Sequence, residues 1–325
     1  MKYLAQAGWG QDDINRRGQS IDELLRDGHI APRKRRLLGQ VGAIKAFGEK
    51  HGLTATSNYT RYARLDRPAA VWVVSACAPL GFRPKSWNFP IVGSITYLGW
   101  FKLEDAKDAA ATLRKEGWDV DVRTAGAYST LGWFEDPVLS TMIPDGDEAL
   151  GELANVVLHE SLHATFYVNG QSVLNESVAN FVGDTLTDEY LDQTVGASSP
   201  EKHAYDAGQI KSLERARQMH EAYGVLERLY ASPAPDAAKL TAKAEVLTSL
   251  RQRLGFKRPI NNATLGSFKT YSSGQKELAT LLEACGGSFP RFLASLEPLK
   301  SITGAQRKDV SEMVAPLLAS RCASR

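Results

Sequence analysis

Two histidines and two glutamates carry the clearest chemistry in this chain of 325 residues. They lie in His159-Glu160-Ser161-Leu162-His163 and, twelve residues beyond the second His, in Asn175-Glu176-Ser177-Val178-Ala179. Residues four apart on a helix share a face, so His159 and His163 can present both imidazoles to one metal ion. Glu160, next to the first His, is placed to take a proton from a water activated by that metal. Catalytic zinc takes three protein ligands and keeps one open position. Glu176, on a second helix after a short reversal, is the natural third ligand, and the pattern predicts a zinc peptidase site. Two solvated His on an exposed helix are the plainer alternative. Against it, the pair sits among Val157, Leu158, Leu162 and Phe166 rather than among Lys and Glu.

Glu176 has two readings. It is a metal ligand, or a first-turn Glu that favours the helix dipole. Its neighbours Val173, Leu174, Val178, Phe181 and Val182 make an apolar face, where a carboxylate is costly unless paired or bound to a cation. Asn180, one turn further on, is placed to accept a hydrogen bond from the non-ligating nitrogen of a zinc-bound His, with Asp184 as its rival for that role. The elements that must hold these groups are a helix over 154–167, ended by the turn residues Asn169-Gly170, and a second over 173–186.

The run HESLHATFYVNGQSVLNESVA resembles the predicted bacterial zinc aminopeptidase family with HExxH…NExxA, a gluzincin-like group. The resemblance extends upstream to FPIVGSITYLGWF and AYSTLGWFEDPVLSTM, and downstream to Asn261-Asn262-Ala263 and Tyr271, covering nearly the whole chain. It implies His159, His163 and Glu176 as zinc ligands and Glu160 as catalytic base. Family members commonly begin with an export or lipoprotein signal, whereas this chain starts inside a helical pattern. It is therefore expected to be a mature portion with an added Met1, periplasmic or lipoprotein-anchored. Read as it stands, it would be cytoplasmic.

Hydrophobic content of 43% and charge of 23% are those of an ordinary soluble globular protein. A net charge of +2 provides no strong field for nucleic acid or an anionic membrane. The short basic run Arg33 to Arg36 reads as a solvated helix start. There is no transmembrane run. Cys77, Cys285 and Cys322 are too few and too scattered for a disulfide framework, so an oxidising compartment is not indicated, although a single bridge stays open.

The expected fold is α+β and mostly helical. A small sheet with packed helices leads into a zincin-type HExxH helix, and a C-terminal helical bundle follows. Residues 1–147 form the N-terminal helices and mixed sheet, and 148–325 form the zinc-site helices and bundle, intimately packed. Helical spacing runs over 4–25, where Ser20 to Glu23 restarts it in the manner of a capping box, and over 33–50. Residues 70–76, 95–101 and 118–123 read as strands, with a helix over 103–116. Residues 128–134 are the candidate edge along which a peptide could add as a strand, or else an interior strand. Beyond the site, Ile210, Leu213, Ala216, His220, Tyr223, Leu226 and Tyr230 form one core-facing stripe. Leu240, Ala244, Leu247, Leu250 and Leu254 form another, and a helix through Leu278, Leu281 and Cys285 ends at Gly286-Gly287.

The expected activity is hydrolysis of peptide bonds, most simply from the N-terminus. The developing oxyanion needs a second donor besides zinc, and Tyr128 or Tyr271 could supply a phenol. Glu135 and Asp136 are suspects for holding a substrate α-amine. Asn261 and Asn262 either face the cleft or make a turn, and His203 is more simply solvated. Two alternatives stand beside this reading: a zinc endopeptidase with an open-ended cleft, and a metal-binding but idle interaction protein of the cell envelope.

Overall fold

The computed structural model describes residues 2–27, 30–89, 93–127, 135–271, 274–304, 307, 309–319 and 322. In chain order the elements are α1 (Lys2–Arg17), β1 (Gly18–Ser20), α2 (Ile21–Asp27), α3 (Pro32–Lys50), β2 (Arg61–Ala63), β3 (Val71–Cys77), β4 (Trp87–Phe89), β5 (Gly93–Ile95) and β6 (Tyr97–Trp100). Then come α4 (Leu103–Lys115), β7 (Asp119–Ala125), β8 (Val138–Leu139), α5 (Ala149–Thr165), α6 (Ser172–Thr194), α7 (Pro200–Ala231) and α8 (Asp236–Arg253). The chain ends with α9 (Asn262–Tyr271), α10 (Gln275–Ala284), α11 (Phe289–Leu296) and α12 (Val310–Ala319). The result is α+β and mostly helical, as the patterning predicts. Two compact units arise, each built from segments distant in sequence: residues 1–10, 69–125 and 209–269 in one, and 11–68, 126–208 and 270–325 in the other.

The first unit holds an antiparallel sheet of order β6-β3-β7, with Val73 opposite both Gly99 and Arg123. β3 is central because Val71 to Val74 form an unbroken apolar run that can be buried on both faces. Ala106, Ala110 and Leu113 of α4, at i, i+4 and i+7, pack in one core with Trp72, Val74, Leu98, Trp100 and Val120. A second core joins Met219, Tyr223, Leu226, Leu247, Leu250 and Ile260.

Here two expected stripes are corrected. Ile210 and Leu213 are 67% and 68% exposed, and Leu240 is 46% exposed. From residue 210 onward the buried residues of α7 are Met219, Ala222, Tyr223 and Leu226, at i, i+3, i+4 and i+7. Its apolar stripe therefore starts about two turns later than the sequence suggests. On α8, Lys243 is buried beside Leu247 and Leu250, its ammonium donating to Asp119 at 2.6 Å and to the Pro79 carbonyl at 2.8 Å.

Asn262 explains the Asn-Asn pair. Fully buried, its side-chain amide donates to the carbonyls of Ala78, Pro79 and Gly81, and its oxygen accepts from Tyr230 Oη at 2.8 Å. Asn261 Nδ2 donates to Val120 O at 2.9 Å. Both residues fasten a loop and a strand within this unit.

In the second unit, β1-β2-β8 form a small sheet, and Ser20 Oγ accepts from Glu23 N at 3.4 Å where α2 begins. α3, α5 and α6 form the main layer, with Leu37, Leu38, Val41 and Ile44 buried on α3. α10 ends at Cys285, where Gly287 N returns to Leu282 O at 3.0 Å. Cys285 is disulfide-bonded to Cys322, the single bridge that the sequence left open. The partners are 37 residues apart in sequence, and the packing of α10 against α11 and α12 brings them together. Cys77 stands outside the bridge, its thiol donating to Gly81 O at 3.4 Å. Among the described residues, no helix is long and apolar enough to cross a membrane.

Candidate metal centre

α5 carries both histidines beside its buried face. Leu150, Leu153, Ala154, Val157, Leu158 and Leu162 are buried, which fixes the rotation of the helix and leaves His159 and His163 on its flank. Phe166 is extended and stops the helix, and Gly170 turns the chain with φ 74°. Asn175 then locks the reversal. It is buried, donates through Nδ2 to Val168 O at 2.9 Å and accepts from Val168 N at 2.8 Å, replacing the strand-like partner that Val168 lacks. The next residue is Glu176. Its carboxylate is thereby returned to α5 with little freedom, a positioning role for Asn175 that residue type alone does not reveal.

The three groups converge. His159 Nε2 lies 3.6 Å from one oxygen of Glu176, and His163 Nε2 lies 3.8 Å from the other. The two rings stand nearly perpendicular with centroids 4.9 Å apart. One donor atom from each of His159, His163 and Glu176 falls within 4.8 Å of the others. Two ligand atoms bound tetrahedrally at ~2.1 Å from a zinc ion stand ~3.4 Å apart, so the spacing suits one small cation. Two imidazoles and a carboxylate are also a donor set that such an ion prefers. His163 Nδ1 is buried with no hydrogen-bond partner among the described residues, so Asn180 does not take the role foreseen for it toward that nitrogen.

Electrostatics distinguish the two rings. Burial, the largest influence on His163, together with the neighbouring His159, pushes its pKa down to about 4, with Glu176 opposing. Burial also acts downward on His159, but the hydrogen bond to Glu176 and the charges of Glu160, Glu176 and Asp184 together raise it. His163 is thus held neutral, the form that binds metal.

Asp184 does not join the cluster. Its carboxylate accepts from Asn155 Nδ2 at 2.8 Å, and the same amide reaches Tyr205 Oη at 3.0 Å. Glu160 is half-buried, and its charge acts on His159 and on the phenol of Tyr59. Tyr59 has no signal in the sequence. It is buried, sits at φ 65°, unusual for a bulky residue, and its N–H donates to Asp136 O at 2.7 Å. Lys45 Nζ fixes the same loop through the carbonyls of Thr56 and Asn58, both at 2.7 Å. Burial, then Glu160 and Asp136, raise the Tyr59 phenol well above its ordinary range.

Asp136 is buried, Glu135 and His203 are exposed, and Tyr167 is partly exposed with its phenol raised by burial and by Glu176. Tyr128 and the whole candidate edge 128–134 lie outside the described residues. Tyr271 ends α9, and its side chain also lies outside them.

Helices α5 and α6 thus bring a His pair and a Glu to one point, a set of donor atoms that could hold a metal ion. A family model described as "putative aminopeptidase" matches residues 2–310, and the chain belongs to that family. No curated protein and no solved structure matches it.

Proposed function

We propose that the chain is a zinc metallopeptidase acting as an aminopeptidase. One observation carries the reading: His159, His163 and Glu176 converge within 4.8 Å in a donor set suited to zinc. Membership of the family supports the peptidase class.

In this reading His159, His163 and Glu176 hold the ion, and Asn175 keeps Glu176 turned toward the histidines. Zinc, when bound, supplies Lewis acidity that polarises the scissile carbonyl and lowers the pKa of a bound water toward neutrality. Glu160 accepts the proton of the attacking water and passes it to the leaving amine. Tyr128 and Tyr271 are the proposed phenol donors toward the oxyanion. The substrate is a peptide. The Cys285–Cys322 bridge supports maturation in an oxidising compartment and so an exported protein.

Incubation of the zinc-loaded protein with a mixed peptide library, read by mass spectrometry, tests this. Single residues lost from N-termini are expected. Internal cuts would replace the aminopeptidase with an endopeptidase, and no cuts by a zinc-loaded protein would remove the peptidase reading.

A further inference from the structure

Gly183 lies in the middle of α6, where glycine costs about 1 kcal/mol relative to alanine. Its neighbours explain its presence. A Cβ built on Gly183 would stand 3.2 Å from His159 Cβ, 3.5 Å from His159 Cα and 3.5 Å from the Asn155 carbonyl oxygen. The α6 backbone therefore rests directly on α5 at the residue that carries the first imidazole. Glu176 and Gly183 are seven residues apart, within ~20° of one face of α6 and ~10.5 Å along it. The glycine that touches His159 thus shares a helix face with the carboxylate that His159 meets.

The contact is braced from one side. Asn155, one turn before His159, bridges Asp184 at 2.8 Å and Tyr205 at 3.0 Å, so the residue after Gly183 is tied to the α5 turn that the glycine approaches. Tyr205 in turn packs against Gly151, where a Cβ would fall 2.4 Å from its ring. Glu152 and Asp184 face this region as well, and each carboxyl is raised, chiefly by burial.

We propose that Gly183 is a positioning residue for the metal centre: its missing side chain sets the α5–α6 separation at which Glu176 and the two histidines reach one ion. This rests on the zinc reading above. A methyl group here must move His159 by a few tenths of an ångström. That displacement is small for a folded helix pair but comparable to the ~0.2 Å tolerance of a zinc–ligand bond.

The test is Gly183→Ala, with Gly42→Ala as control, since Gly42 also lies in a helix but has open space around its Cβ position. Apo proteins are compared by thermal unfolding, zinc affinity by competition with a chromophoric chelator, and coordination by the visible spectrum of the cobalt-substituted form. The expected result is that Gly183→Ala retains apo stability, because helix propensity offsets the contact, yet binds zinc at least about tenfold more weakly, as when support around a ligand is lost. Its cobalt bands should shift, and Gly42→Ala should change neither affinity nor spectrum. Zinc affinity within twofold of the unsubstituted protein would overturn the proposal. So would a large fall in apo stability, for the glycine would then serve folding rather than ligand placement. If the unsubstituted protein itself binds no zinc, the metal reading fails and takes the proposal with it, an outcome distinct from the other two.

Discussion

Reducing the Cys285–Cys322 bridge should cost the second unit about 4 kcal/mol. The figure follows from loop closure: a cross-link spanning 37 residues removes about 13 cal/mol/K from the unfolded chain, or about 4 kcal/mol at 25 °C. The native side changes little, because Cys285 and Cys322 are both buried and α10 keeps its contacts with α12 without the bond. Urea unfolding of the oxidised protein, compared with a Cys285→Ser, Cys322→Ser variant, measures the difference. Thiol titration provides the parallel count: of the three cysteines, one should react in denaturant before reduction and all three after it. Three reactive thiols in native-purified protein, or unfolding curves that coincide, would refute the bridge and remove the support for an oxidising compartment.

Other substitutions separate roles within the site and the fold. Glu160→Gln should retain zinc, since Glu160 is outside the ligand cluster, and lower turnover by about 10²–10⁴-fold in a peptide-cleavage assay. Glu176→Ala should abolish zinc retention after dialysis, whereas Asp184→Ala should leave most of it. Asp184 lies eight residues along α6, ~12 Å by helix rise, and is bonded to Asn155 instead. Asn262→Ala should destabilise the first unit by about 3 kcal/mol or more in denaturant titration, because it strips partners from three carbonyls and from Tyr230 at once.

Much of the α5–α6 pair was legible in the sequence. Its apolar residues recur at helical spacing, and Asn169-Gly170 marks the reversal, so the face shared by His159 and His163 follows from periodicity alone. The place of Glu176 beside the two histidines follows from the short reversal between the helices. What could not be read depends on contacts between distant segments. Asn175 is polar in an apolar helix, and only the fold shows that Val168 is its partner. Gly183 looks like a weak point of α6 until His159 is seen against it. Tyr59 adopts a left-handed conformation in which its N–H meets the Asp136 carbonyl, 77 positions away. The apolar residues at the start of the α7 stripe kept the period of a buried face, and periodicity does not say whether another element lies against it. The disulfide escaped for a similar reason, since nothing in the spacing of three cysteines shows that α10 and the chain beyond α12 meet.

The central claim is that His159, His163 and Glu176 form one zinc site, and metal analysis tests it most directly. The protein is loaded with zinc, desalted and analysed for bound metal beside Glu160→Gln and a His159→Ala, His163→Ala double variant. About one zinc per chain is predicted for the first two and essentially none for the third. Full zinc occupancy in the double variant, with its fold intact by circular dichroism, would contradict the account.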